Sequence, residues 1–94
     1  MITEVTHIKA LAGSGAMLED AYSKVGFLLR SAPGLIRDKL MRVMERPDEF
    51  YLEIEWEGIE QHLAFTRSHS FATVDGALRA HIESADVVHC ETKS

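Results

Sequence analysis

Hydrophobic and polar residues alternate most strictly between positions 49 and 57. Phe50, Leu52, Ile54 and Trp56 fall on one side, and Tyr51, Glu53, Glu55 and Glu57 on the other. A period of two is the mark of a strand with one covered face. The preceding stretch, 35–46, joins it through Arg46-Pro47-Asp48, a turn sequence that makes the pair a β-hairpin. There Ile36, Leu40 and Met44 share a face with Asp38 and Arg42. Leu35, Met41 and Val43 then share the other with Arg37 and Lys39. A sheet covered by helices on one side needs only one apolar face. Apolar side chains on both faces of 35–46 predict that something covers the second face too.

Residues 15–30 carry a helical period instead: Leu18, Ala21, Tyr22, Val25, Leu28 and Leu29 recur at i, i+3, i+4 and i+7. Ser14 is placed to cap this helix, Asp20 and Lys24 are spaced for an i,i+4 pair, and Ala32-Pro33-Gly34 stops it. Residues 2–10, with Ile2, Val5 and Ile8 among Thr3 and Thr6, predict a first strand whose faces the imperfect alternation leaves open. Residues 59–69 predict a second helix after Gly58. Residues 72–84 predict a third, with Val74, Leu78, His81 and Ile82 in phase, and 86–92 a last strand. The order β-α-β-β-α(α)-β is that of an α+β, ferredoxin-like split βαβ sandwich. Its four-stranded antiparallel sheet carries helices on one face. The expectation is a single domain over 1–94.

Composition narrows the classes of partner. The 94 residues are 46% hydrophobic and 27% charged, with net charge −5. An acidic balance disfavours nucleic acid and anionic membrane surfaces, which need a basic face. No apolar run is long enough to span a bilayer, and no leader sequence is visible. The one cysteine, Cys90, excludes an intrachain disulfide. It favours a reducing, cytoplasmic setting, and its expected state is a buried, inert thiol. A chain this short buries only about 60–65% of its unfolded surface, so a second subunit would help.

Candidate chemistry is sparse. The five histidines, His7, His62, His69, His81 and His89, show no HxxxH or HxxH spacing, so no metal site is expected. Phosphate-loop and nucleophile-elbow motifs are missing. Gly13-Ser14-Gly15 before a helix is either an anion site or a plain turn. There remains an apolar pocket with polar edges, the usual form of a small-molecule site. Trp56 ends an inward row, Tyr22 and Phe27 come from the first helix, and Phe65 and Phe71 from the second helical region. The competing reading makes these aromatics simply core.

The turn Ala32-Pro33-Gly34-Leu35 leads into a long strand, and the hairpin into Tyr51-Leu52-Glu53-Ile54-Glu55-Trp56. Then Trp56-Glu57-Gly58-Ile59-Glu60 leads to Phe65, Ser68 and Phe71. In this arrangement the chain resembles the antibiotic biosynthesis monooxygenase family of dimeric α+β barrels. The resemblance implies a homodimer with sheets packed face to face. It also implies a small-molecule pocket between sheet and helices, and cofactor-independent oxygenation of aromatic or polyketide-like substrates. A ligand-binding or isomerase domain on the same scaffold is the alternative. A haem-degrading branch of the family is disfavoured: the first strand lacks its Asn, Phe65 stands where its Trp falls, and Asp75 stands near its iron-binding His. In such a pocket Trp56, Phe65, Tyr22 and Phe27 are expected to hold a flat substrate. His62 and His69, about two turns apart on one helix face, are the candidate bases. His69 is preferred because its neighbour Ser68 offers a hydrogen bond to the ligand.

Overall fold

A computed structural model describes residues 1–94. The elements run β1 (Ile2–Ala10), α1 (Gly15–Arg30), β2 (Leu35–Arg42), β3 (Glu49–Trp56), α2 (Ile59–Thr66), α3 (His69–Arg79) and β4 (Ile82–Glu91). All strand pairings are antiparallel, in the order β2-β3-β1-β4, which is the split βαβ arrangement the element order predicts. None of the helices is long and apolar enough to cross a membrane.

One face of the sheet carries the core. The β3 row Phe50, Leu52, Ile54 and Trp56 is buried, with Phe50 and Trp56 fully so, and it meets Thr6, Ile8 and Ala10 of β1. Leu18, Tyr22 and Leu29 of α1, Phe65 of α2, and Val74 and Leu78 of α3 close over it. Each helix contributes residues three or four apart, the spacing that places side chains on one helix face.

Three boundaries differ from the sequence expectation, each for a local reason. Leu35 pairs with Trp56 and Arg37 with Glu55, so Ile36 is an extra residue, a β-bulge. The bulge reverses the alternation upstream of it. Leu35 joins Leu40 against the core, and Ile36 is turned out to solvent. Strand β2 stops at Arg42, so Val43 lies beyond it and Met44 is exposed in the connection. The apolar residues left on the open face are therefore Met41 of β2, Tyr51 of β3 and the pair Val5–Val88 from β1 and β4.

The second helical region breaks at Arg67 and Ser68. The Ser68 hydroxyl accepts from the Phe71 N–H at 3.1 Å and donates to the Phe65 carbonyl at 2.6 Å, so the helix expected over 59–69 ends at Thr66 and the one expected over 72–84 begins at His69. At the far end Ile82, four residues after Leu78, fits a helical phase, but it pairs with Ala10. Strand β4 thus begins at Ile82 rather than 86. The ladder with β1 draws Glu83, Ser84 and Ala85 into extended structure. Cys90, expected buried, is exposed on this edge strand.

The Gly13-Ser14-Gly15 turn does hold an anion, supplied by the chain itself. Asp48 accepts the Gly13 and Gly15 N–H groups, both at 2.9 Å, while Ser14 makes no side-chain cap. The helix N-terminus is neutralised by a carboxylate from the β2–β3 connection. Gly15 is needed for that approach: a Cβ there would lie 2.5 Å from the Pro47 carbonyl oxygen.

Candidate active site

Between the core face of the sheet and the three helices lies a cavity of about 510 Å³. Leu52, Ile54 and Trp56 form part of its floor, Phe65 and Phe71 one wall, and Tyr22 and Leu29 another. Phe65 stands 5.7 Å from the Trp56 ring and 5.7 Å, edge-on, from Phe71. The lining is aromatic and apolar, with polar groups concentrated at defined points, the usual build of a small-molecule pocket.

The polar end is built from three elements. Glu4 occupies the core-facing row of β1 between Ile2 and Thr6, His62 lies one turn before Phe65 on α2, and His89 faces Glu4 across the β1–β4 ladder. The Trp56 indole N–H donates to Glu4 Oε1 at 3.1 Å. His62 is buried, with Nδ1 3.2 Å from the same carboxylate oxygen and its ring edge-on to Trp56 at 5.5 Å. His62 Nε2 lies 3.1 Å from His89 Nε2. The Glu4 side chain is 14% exposed and meets no lysine or arginine; the His62 ring is the ionisable group beside it.

A second polar arrangement fixes the wall opposite. The Tyr22 hydroxyl donates to Asp38, which also accepts from Arg30 at 3.1 Å. Burial first, then the bond to Asp38 and its negative charge, push the Tyr22 hydroxyl far above the usual phenol range. Tyr22 therefore stays a neutral donor and supplies no base. At the rim Asp75 is committed to Arg79 through bonds of 2.9 and 3.1 Å, which keep the guanidinium charged.

The antibiotic biosynthesis monooxygenase model matches residues 1–87. The chain belongs to that family. Solved structures agree on the fold. A Bordetella bronchiseptica protein bearing the same family name superposes with TM-score 0.91 at 23% identity, over 99% of this chain and 97% of that one. SnoaB, a cofactor-independent oxygenase from Streptomyces nogalater, gives 0.89 at 17%, over 99% and 93%. PA3566 from Pseudomonas aeruginosa gives 0.85 at 15%, over 99% and 94%. No curated protein matches the sequence.

Within this family scaffold, the residues expected at the pocket separate into two groups. Trp56, Phe65, Tyr22 and His62 all line the cavity. Phe27, Ser68 and His69 do not. Phe27 is on the outer side of α1, out of phase with Leu18, Tyr22 and Leu29, and is 59% exposed. Ser68 spends its hydroxyl on the cap of α3 and borders a shallower cleft beside Pro33 and Gln61. His69 opens α3 on the solvent side. The seven-residue spacing from His62 puts both on one face only in a continuous helix, and the break at Ser68 removes that premise. Glu4 stands out by no sequence motif, and His89 only as one of five histidines without ligand spacing. Their signal was a charged or ionisable residue in phase with core-facing strand positions, legible only once the faces of β1 and β4 are known.

Proposed function

We propose that the protein is a cofactor-independent monooxygenase acting on a small aromatic or polyketide-like substrate with an acidic hydroxyl or methylene group. The observation that supports this best is the buried His62 at the polar end of an aromatic cavity. Imidazole is the side chain suited to proton exchange near neutrality. His62 takes the acidic proton, and the Glu4 carboxylate, 3.2 Å from its Nδ1, offsets the positive charge it gains. The substrate anion then reduces O₂ and forms a carbon–oxygen bond to it. Scission of the O–O bond leaves one oxygen as the new carbonyl and releases the other as water, so phenol and O₂ become quinone and H₂O. The aromatic walls stack the substrate and shield the anion from solvent. The SnoaB neighbour, a cofactor-independent oxygenase on this fold, supports the same reading.

The quaternary part of the proposal is a homodimer in which the open sheet faces pack together, burying Met41, Tyr51, Val5 and Val88. The setting proposed is the cytoplasm, where the exposed Cys90 stays reduced.

Oxygen uptake with a panel of naphthols and anthrones tests the reaction. Turnover that falls about 100-fold or more in His62→Gln, and holds in His69→Ala, is the expected result. Ligand binding without oxygen uptake across the panel would replace this reading with the binding or isomerase domain.

A further inference from the structure

The geometry points to a binding site for one divalent transition-metal ion formed by Glu4, His62 and His89, at the Trp56 end of the cavity. One ligand atom from each residue lies within 4.8 Å of the others. The two Nε2 atoms are 3.1 Å apart. Two nitrogens held about 2.0–2.1 Å from one tetrahedral ion are separated by about 3.3 Å, so the pair already stands at the edge length of such a site. His62 supplies an independent sign. Its Nδ1 is buried without a hydrogen bond: Glu4 Oε1 is near enough, but off the line that an N–H···O bond requires. A buried polar atom left in this state is an exception in folded proteins.

Charge favours a cation at this point. Glu4 brings one negative charge into a site closed on the His62 side and open on the His89 side, with no lysine or arginine to meet it. Buried charges are paired or coordinate metals. Two imidazoles and one carboxylate are a donor set of open, four-coordinate zinc sites, with the last position left to water or ligand. Glu4 and His62 line the cavity and His89 does not, which sets the site at the cavity's edge. The last position suits an anionic oxygen of a small molecule, such as a phenolate or carboxylate. The three residues come from β1, α2 and β4 and share no sequence spacing, which is why the absence of HxxxH carried no information about them.

The site shares Glu4 and His62 with the proposed base, so an ion held there would occupy the imidazole and suppress turnover; its binding is nevertheless measured without substrate, and its failure leaves the oxygenase reading untouched. Zn²⁺ is the probe, being redox-silent. Titration calorimetry of ZnCl₂ into chelator-stripped protein should show one ion per chain. His89→Ala, on the exposed edge strand, and Glu4→Gln should each weaken binding about 100-fold, while His69→Ala and His81→Ala leave it unchanged. Replacing Zn²⁺ by Co²⁺ should give the intense visible absorption of tetrahedral coordination, lost in His89→Ala. Circular dichroism establishes that each variant is folded. Absence of saturable binding overturns the proposal, and so does binding that survives His89→Ala unchanged or falls equally in His69→Ala.

Discussion

The two faces of the sheet use the same kinds of residue to opposite ends. On the face under the helices, the ionisable groups that are buried or half-buried are few and have specific partners: Glu4 meets Trp56 and His62, and Asp38 meets Tyr22 and Arg30. On the open face charges are dense and paired across strands, as in Arg37–Glu55 at 2.8 Å and His7–Glu49 at 2.9 Å, with His7 stacked on Tyr51. A pair such as Arg37–Glu55, whose arginine side chain is 70% exposed, is worth little beyond solubility. A buried carboxylate left without its partner costs several times more. Chemistry therefore gathers where charge is scarce, because there a single group sets the local field.

The largest contrast is expected from the aromatic pair Trp56 and Tyr51. Trp56→Ala removes a fully buried ring and should lower stability by about 3–5 kcal/mol in denaturant unfolding. Tyr51→Ala, on the open face, should cost well under half of that in the lone chain, any further loss appearing only at concentrations where the proposed dimer covers Tyr51. Equal losses would show that the two faces are equally buried in solution. Next, Tyr22→Phe leaves Asp38 with Arg30 alone and should cost about 1–3 kcal/mol. Arg37→Ala, the open-face counterpart, should cost less than about 1 kcal/mol.

The open face is sharpened further by Val88→Arg. Val88 is 57% exposed in the single chain and faces Val5. If two such faces meet in a dimer, a buried unpaired charge should weaken association by at least about tenfold, read by sedimentation, while the fold persists. A dimer indifferent to the substitution uses another surface.

The smallest effects are in pH dependence, and they differ in sign between the faces. The Tyr22 hydroxyl is raised by burial and Asp38, so its contribution is complete below the ordinary value of 10.0 and is lost as pH rises above it. Alkaline unfolding should begin above that value in the wild type, and Tyr22→Phe should flatten the dependence. Glu49 moves the other way. The His7 hydrogen bond, then Arg46, hold its carboxyl below the ordinary 4.5, so its contribution is present above that value and fades as pH falls through the lower folded one. NMR titration should show the Glu49 carboxyl moving back up in His7→Ala.

Local sequence determined most of the architecture. The period of two in 49–57, the helical period in 15–30 and the stop at Ala32-Pro33-Gly34 all correspond to elements in place, and Trp56, Phe65 and Tyr22 come together at one cavity. These are short-range properties: a side chain's face follows from its phase within one regular element. Tertiary structure decided whatever depends on phase being interrupted or on elements meeting. The bulge at Ile36 moved Leu35 to the core, and the Ser68 cap turned His69 away from His62. The β1–β4 ladder brought His89 opposite Glu4. No window of sequence contains that last contact, because residues 85 positions apart are joined only by hydrogen bonds between strands at the two ends of the chain.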